Sequence, residues 1–520
     1  MINENVKHVV IVGGGTAGWI TAGVLAAKCV KEHGRDLTIT LIESPTIGNI
    51  GVGEGTWPSL RTTLQTMGIS ETEFIRQCDA TFKQGACFKK WIDNSEGDAY
   101  YHPLMLPSSL GPLNSIIRKL NSDPTKGQNS GDLSYSTMLC SQETVCERGL
   151  APKNITTPEY RGILNYAYHL DTNKFSIFIK EHCISKLNIN HVVNDIVGTT
   201  LGADGEIGSL RLVDGTELTA DFYIDCSGFA GLLIDKHFNV PFLDRSDILF
   251  CDRAVAVQCP YEHQDAPIAS HTVSTATGSG WIWDIGLQKR HGIGHVYSSG
   301  HMNQDEAERD LRKYVGKQMD QLDVRHIKYK PGHREKFWMK NCVAVGLAAG
   351  FVEPLEASSI LLVEIAAFWI AEKLPHKKSG FVHCEKQFNE TFRYRWDTII
   401  EFLKLHYCIS QRTDTDFWRD NTHPDSIPDG LLEKLDLWRG QCPSVVDFLS
   451  RADVFPFESY CYILYGMKFK TATHAVSAAQ LIMLEKKIHE QQLAMANVVN
   501  SLPANRSLIN KIREHGLQRI

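Results

Sequence analysis

Between Phe351 and Ile360 the chain reads FVEPLEASSI, which sets one carboxylate, Glu356, just ahead of two hydroxyls, Ser358 and Ser359, at the start of an apolar helical pattern. The first N–H groups of a helix have no intrahelical partner and carry partial positive charge, so such a start can hold a small anion. An acid beside an anion site suggests chemistry that consumes an anion. A second reactive group is Lys83, in ATFKQGACFKKW. Phe82, Ala86, Cys87 and Phe88 around it predict a partly buried element, where an amine needs a reason to be present. Lys89 and Lys90 read as ordinary solvated lysines. Trp281 and Trp283, in WIWDI, alternate at strand spacing and suit either core packing or a functional wall. His291 and His295 lie four apart, but Gly292 and Gly294 argue against a helix between them, so no metal site is expected.

These groups need a scaffold, and the N-terminus supplies one. His8 to Val12 is a short apolar strand, followed by GGGTAG and a helical stretch from Ala17 to His33. A second strand, LTITLIES, carries Glu43 near its end. Gly13 permits a tight turn, Gly15 lets a pyrophosphate approach the backbone, and Gly18 packs helix on strand, with Thr16 and Ala17 completing the turn. Glu43 is placed to accept ribose hydroxyls. Later strands are scattered (Ile189–Val197, Ser209–Val213, Phe222–Ile224, and Val343 running into a Gly turn at Gly350) and form no second mononucleotide half, which favours FAD over NAD. The loop Ile50–Leu60, with Gly53, suits a strap over a flavin or a plain surface loop. Ser108–Lys153 is rich in Ser, Gly, Asn and Pro and reads as a long insertion or lid. Ser358–Lys373, Cys384–Leu405 and Ala475–Asn500 read as helices.

The bulk properties narrow the class. The chain has 520 residues, a net charge of -6 and 22% charged residues, ordinary for a soluble globular protein and without the basic stripe of a nucleic-acid binder. No apolar run is long enough for a bilayer. Fourteen cysteines without C-x-x-C pairs or zinc spacing fit a reduced, cytoplasmic setting.

Together these residues resemble the flavin-dependent tryptophan halogenase family. The matching pieces are GGGTAGW at Gly13–Trp19, IGVGEGT at Ile50–Thr56, Phe82-Lys83, YHP at Tyr101–Pro103, DCSGFAGLLI at Asp225–Ile234, CDRAVA at Cys251–Ala256, WIWDI at Trp281–Ile285, FVEPLE at Phe351–Glu356 and LHY at Leu405–Tyr407. The resemblance implies an α/β fold: an FAD-binding, Rossmann-like box of the glutathione-reductase/hydroxylase type with a mostly helical substrate-binding subdomain. It assigns residues 1–405 to the FAD-binding module, with substrate-side segments inserted at about 84–160, and 406–520 to a helical part packed on the substrate site. The implied chemistry uses FADH2, O2 and a halide, chloride or bromide, to make hypohalous acid. That acid reaches Lys83, which hydrogen-bonds it or carries the halogen as a haloamine. Glu356 polarises the oxidant or takes the proton lost from the ring. The resemblance places halide at Ser358 and Ser359. It adds Val193, Leu347 and Ile360 to the FAD contacts, and makes Trp281, Trp283, His102 and Tyr460 substrate or barrier residues. It implies a small aromatic substrate such as an indole and a separate NADH-dependent flavin reductase, and it is compatible with a homodimer.

The sequence departs from the family pattern at four places. Gly286 stands where a proline follows W-x-W-x-I, Ala357 where a serine follows the PLE acid, and Leu104 where an aromatic follows His-Pro. Tyr460 is followed by Cys461 where tryptophan-specific members carry consecutive tyrosines. The departures touch substrate recognition, so a smaller or differently decorated indole or another electron-rich arene is at least as expected a substrate as free tryptophan. The alternative on the same fold is an FAD-dependent aromatic monooxygenase. Leu347, standing where hydroxylases carry an aspartate, argues against it, as do Trp281 and Trp283.

Overall fold

The first strand, His8–Val12, is apolar along its whole length and becomes the middle of a six-stranded sheet. In the computed structural model, which describes residues 4–48, 53–122, 134–448 and 453–519, Thr38–Glu43 and Phe222–Asp225 flank it in parallel. Asn190–Val193 and Cys342–Ala344 extend the sheet on either side, also in parallel, and Trp338–Met339 closes one edge antiparallel. A strand buried on both faces needs cover on both, which explains the unbroken HVVIV pattern. Thr16–Leu25, packed between Thr172–Leu187 and Ser358–Lys373, covers the face of Val9 and Ile11, and Ile207–Leu212 covers the face of Val10 and Val12. The predicted helix to His33 is α-helical only over Thr16–Leu25 and continues with π-type pitch over Ala26–Glu32.

The predicted strand Ile189–Val197 is two strands in two sheets, Asn190–Val193 and Ile196–Leu201. The break falls where the Asn194 amide turns back to the Glu43 carbonyl, 3.0 Å away. A seven-stranded sheet carries Gly280–Gly286, with both tryptophans, between Thr272–Ala276 and Arg290–Tyr297. A small sheet, Glu54–Gly55, Ala167–Leu170 and Thr81–Lys83, lies against it. The chain leaves the small sheet at Lys83 and enters the large one at Gly85, and the Gln84 amide between them is bonded to the Ser270 carbonyl at 2.7 Å. Lys83 therefore sits at the seam between two sheets.

The segment Ser108–Lys153 is less loop-like than its composition. It contains Leu113–Ser122, Tyr135–Leu139 and Gln142–Glu147 as helices. One of its serines acts as a cap: Ser134 and Thr137 form a reciprocal capping box. Beyond Cys408 the described chain is helical, with Phe457–Gly466, Ala478–Ser501 and Asn505–His515 as the main elements. No helix among the described residues is long and apolar enough to cross a membrane.

Candidate active site

All of Thr81–Lys83 is buried, and Lys83 is only 4% exposed. Its Nζ donates to the Thr56 carbonyl at 3.2 Å. Burial pulls the amine from 10.5 down to about 8, and the negative charge of Glu356 pulls it partly back up. The small sheet's register puts Gly55 opposite His169, and a Cβ on Gly55 would lie 3.3 Å from Lys83 Nζ. The amine thus fills space left by a missing side chain.

Trp57, the residue after Thr56, donates its indole N–H to the Glu356 carbonyl at 2.8 Å. Two consecutive residues therefore hold the amine and the acid-bearing turn together. The Glu356 side chain is 4% exposed, and its Oε1 accepts from His102 Nδ1 at 2.9 Å, with His406 Nε2 3.3 Å away. A carboxylate only accepts, so His102 carries its proton on Nδ1, leaving Nε2 to face Ser459 Oγ at 3.0 Å. His406 Nδ1 lies 2.6 Å from the Tyr100 hydroxyl, and burial pushes that phenol well up, so it stays a donor. His406 then carries its proton on Nε2, 3.3 Å from Glu356 Oε1 but out of line for a hydrogen bond. Burial opposes ionisation of Glu356, but His102 and His406 overcome it and hold the carboxyl at about 2. The site is an ionised acid between two imidazoles, with a buried amine nearby.

Ser358–Lys373 starts immediately after this acid. Its N-cap, Ala357, is left-handed with φ 53 and ψ 38, and no side chain caps the helix. Ser358 is buried and Ser359 half-buried. A sixteen-residue helix thus begins with an unprotected positive end next to Glu356.

The crevice at the carboxyl ends of the parallel strands fits a dinucleotide. Gly13 has φ 117, and a Cβ there would run into the Cys226 carbonyl; a Cβ on Gly18 would run into the Gly13 carbonyl. Gly15 is the N-cap of Thr16–Leu25, and neither a side-chain cap nor an acid occupies that first turn. Glu43 ends its strand packed against Gly14, with Oε2 held by Lys180 at 2.6 Å and His191 at 2.8 Å. Val193 pairs with Glu43 in register and is 57% exposed. Leu347 lies in the 3-10 turn Gly346–Ala348, whose Gly346 approaches Ala17, and Ile360 is buried in the first turn of its helix. Backbone turn, open helix end and acid converge as a dinucleotide cradle requires. Of the proposed strap, residues 49–52 lie outside the described residues, while Gly53 has φ 113 and faces Ile285.

Trp281 and Trp283 are both buried, with ring centres 6.4 Å apart. Trp283 lies over Gly294, directly opposite it in register, and that glycine explains part of the HGIGH pattern. Among the described residues no group of His, Cys, Asp and Glu could hold a metal. At Gly286 the space a side chain would take is held by Tyr261 and Ile268. Tyr460 packs on Phe402, Trp438 and Phe448, one ring behind His102. Ser459 and Tyr462, on another face of the same helix, are the ones that meet His102. They, His406 and Trp57 escaped the sequence reading. The LHY motif was the only signal for His406.

Comparison with known proteins agrees with this geometry. The profile of the tryptophan halogenase family matches residues 8–481. The tryptophan 6-halogenase ThaL of Streptomyces albogriseolus is 34% identical over 456 residues, covering 85% of this chain and 83% of that protein. The tryptophan 7-halogenase RebH of Lentzea aerocolonigenes is 33% identical, covering 84% and 83%. The crystal structure of a tryptophan halogenase from Shewanella frigidimarina superposes with a TM-score of 0.94 at 41% identity, covering all of both chains. BrvH, a flavin-dependent halogenase from Brevundimonas, gives 0.85 at 30% identity, covering 97% of this chain and 99% of that one.

Proposed function

The chain belongs to the flavin-dependent tryptophan halogenase family, and on that premise we propose that Lys83 and Glu356 direct hypohalous acid onto a small indole or another electron-rich arene. The observation that carries this reading is the Thr56–Trp57 bridge, which ties a buried amine to the turn that carries an ionised acid, close enough for the amine to feel its charge. When bound, reduced FAD would supply, with O2, the oxidising power that turns halide into hypohalous acid. The cradle at Gly13, Gly15, Gly18 and Glu43 would hold that cofactor, with Val193, Leu347 and Ile360 beside it. The open amides at Ser358 and Ser359 would hold the chloride or bromide.

Lys83, with its amine at about 8, carries a proton at pH 7 and donates it toward the oxygen of hypohalous acid. The arene's π pair attacks the halogen, the halogen–oxygen bond breaks, and the departing oxygen leaves as water with the Lys83 proton. Glu356 accepts the proton lost from the ring carbon. Held at about 2, it is ionised and ready to do so at any working pH. Arene and hypohalous acid become haloarene and water, so the step balances. Burial of both groups keeps bulk water from the oxidant. Aromatic and hydroxyl groups around His102 (Trp57, Tyr462 and Ser459) favour a flat, largely uncharged ring. A separate NADH-dependent reductase supplies reduced flavin in this reading, which the one dinucleotide cradle among the described residues supports.

The test is an assay with such a reductase, NADH, FAD, bromide and a panel of indoles, read by mass spectrometry. A bromine isotope pattern is expected from the wild type and from Lys90→Ala, whose lysine is exposed, and none from Lys83→Ala. Hydroxylated product without halogen would refute the reading.

A further inference from the structure

Three residues before the catalytic acid lies another, Glu353, which is 1% exposed and has no part in the scheme above. Its Oε2 accepts two short hydrogen bonds, from the Trp281 indole N–H at 2.7 Å and from the Tyr407 hydroxyl at 2.6 Å. Its Oε1 is buried without a partner among the described residues. The ammonium of Lys404, the nearby cation, is committed to the Ile248 carbonyl at 3.0 Å and to Asn421 at 2.8 Å. A carboxyl in this position is costly: burial alone is unfavourable, and one oxygen gains nothing in return. For stability alone an apolar residue would serve better, so the acid is there for what it holds.

It holds two functional elements at one oxygen. Trp281 is half of the tryptophan pair, and its ring also stands 6.4 Å from that of Trp91. Tyr407 follows His406, the imidazole 3.3 Å from Glu356. Trp91 packs against Trp281, Tyr407 and His406 at once. An indole has one donor, so accepting its N–H fixes how the ring plane is turned.

We propose that Glu353 is a positioning residue: through the indole N–H it fixes the plane of Trp281, and through Tyr407 it ties that ring, with Trp91 packed between, to the helix carrying His406 beside Glu356. The inference rests on the halogenase reading for its consequence at Glu356. The Glu353–Trp281 contact itself stands without it.

Two measurements test the proposal. The first is a double-mutant cycle in urea unfolding with Glu353→Leu, Trp281→Phe and the double variant, none of which needs cofactor. Trp281→Phe removes the five-membered ring together with its N–H, so its packing cost persists in either background while the hydrogen-bond part is lost only where Glu353 is present; its effect should therefore be smaller in the Glu353→Leu background than in the wild type. Additive effects would overturn the proposal. The second is the ratio of brominated indole to oxygen consumed. Glu353→Leu and Trp281→Phe should each lower this ratio by about tenfold at unchanged oxygen uptake, because the Trp91 and His406 rings they buttress then no longer hold Glu356 in place. Glu353→Gln keeps an acceptor oxygen for both donors and should stay within about twofold of the wild type. An unchanged ratio in Trp281→Phe, or a Gln variant as impaired as the Leu variant, would overturn the proposal. If Glu353→Leu fails to fold, Trp281→Phe and Glu353→Gln decide the matter. A wild type that makes no brominated product would sink the halogenase reading, and the unfolding cycle alone would then judge the contact.

Discussion

Replacing Lys83 by methionine should yield a protein that is inactive and more stable. Burial moves the amine from 10.5 to about 8, and at about 1.4 kcal/mol per unit this is a penalty of about 3 kcal/mol for carrying the charge in the folded state. Methionine keeps most of the stem and removes the charge, but it loses the hydrogen bond to the Thr56 carbonyl, a loss of about 1 kcal/mol. The net gain at pH 7 is then about 2 kcal/mol. For a chain of 520 residues, at an unfolding entropy of about 2 cal/mol/K per residue, this raises Tm by about 2 °C. The pH dependence follows from the sign of the shift. The folded amine titrates below the unfolded one, so the wild type's penalty is full below about pH 8 and fades as pH rises toward 10.5. The variant's advantage should therefore shrink over that window and reverse at its top, where only the lost hydrogen bond remains. Urea midpoints at pH 7, 9 and 10.5 for both proteins provide the assay, with bromination of indole followed in parallel. A variant less stable than the wild type by the same amount at every pH would refute the reasoning, because Lys83 would then not be a buried ammonium.

Two further predictions concern backbone and packing. Ala357→Gly should raise the urea-derived stability by about 1 kcal/mol, since φ 53 strains an alanine and not a glycine. A lowered midpoint would mean that the methyl group contributes packing that outweighs the strain. Gly294→Ala should destabilise by about 1–3 kcal/mol, because its Cβ would enter the Trp283 indole, and intrinsic fluorescence should report the displaced ring; an unchanged midpoint and spectrum would contradict that packing.

What could be read in the sequence was what the chain keeps local. GGGTAG, Glu43 at the end of the second strand and the start of Ser358–Lys373 are each defined within a few residues, and each lies where its motif indicated. Composition misled at Ser108–Lys153, where Ser134, a residue type that suggests loops, instead caps a short helix. Around Tyr460 phase carries information the residue type does not: on a helix one residue turns the side chain by about 100°, so Ser459 meets His102 while its neighbour faces Phe402. Partners drawn from distant segments left no linear trace. His102, Glu356 and His406 come together from a strand, a turn and a long helix, and no spacing rule links them.

The motif FVEPLE makes the same point within six residues. Glu353 and Glu356 are the same residue type in one turn, and both are almost wholly buried. Their environments nevertheless drive them apart. Burial raises Glu353, and the donors Tyr407, Trp281 and Cys251, with the charge of Lys404, only soften that rise. Glu356 meets the same burial, yet the imidazoles of His102 and His406 take it to about 2. Two acids separated in this way suit two tasks: the ionised one can take a proton, while the other can only hold its neighbours in place. The difference lies in which helix and which strand arrive beside each carboxyl. It follows that exchanging the environments should exchange the behaviour: His406→Phe should raise Glu356 toward the ordinary carboxylate range, and the acidic limb of bromination should move to higher pH while Glu353→Gln leaves that limb in place. A limb that stays put in His406→Phe would show that the imidazole does not hold the acid ionised.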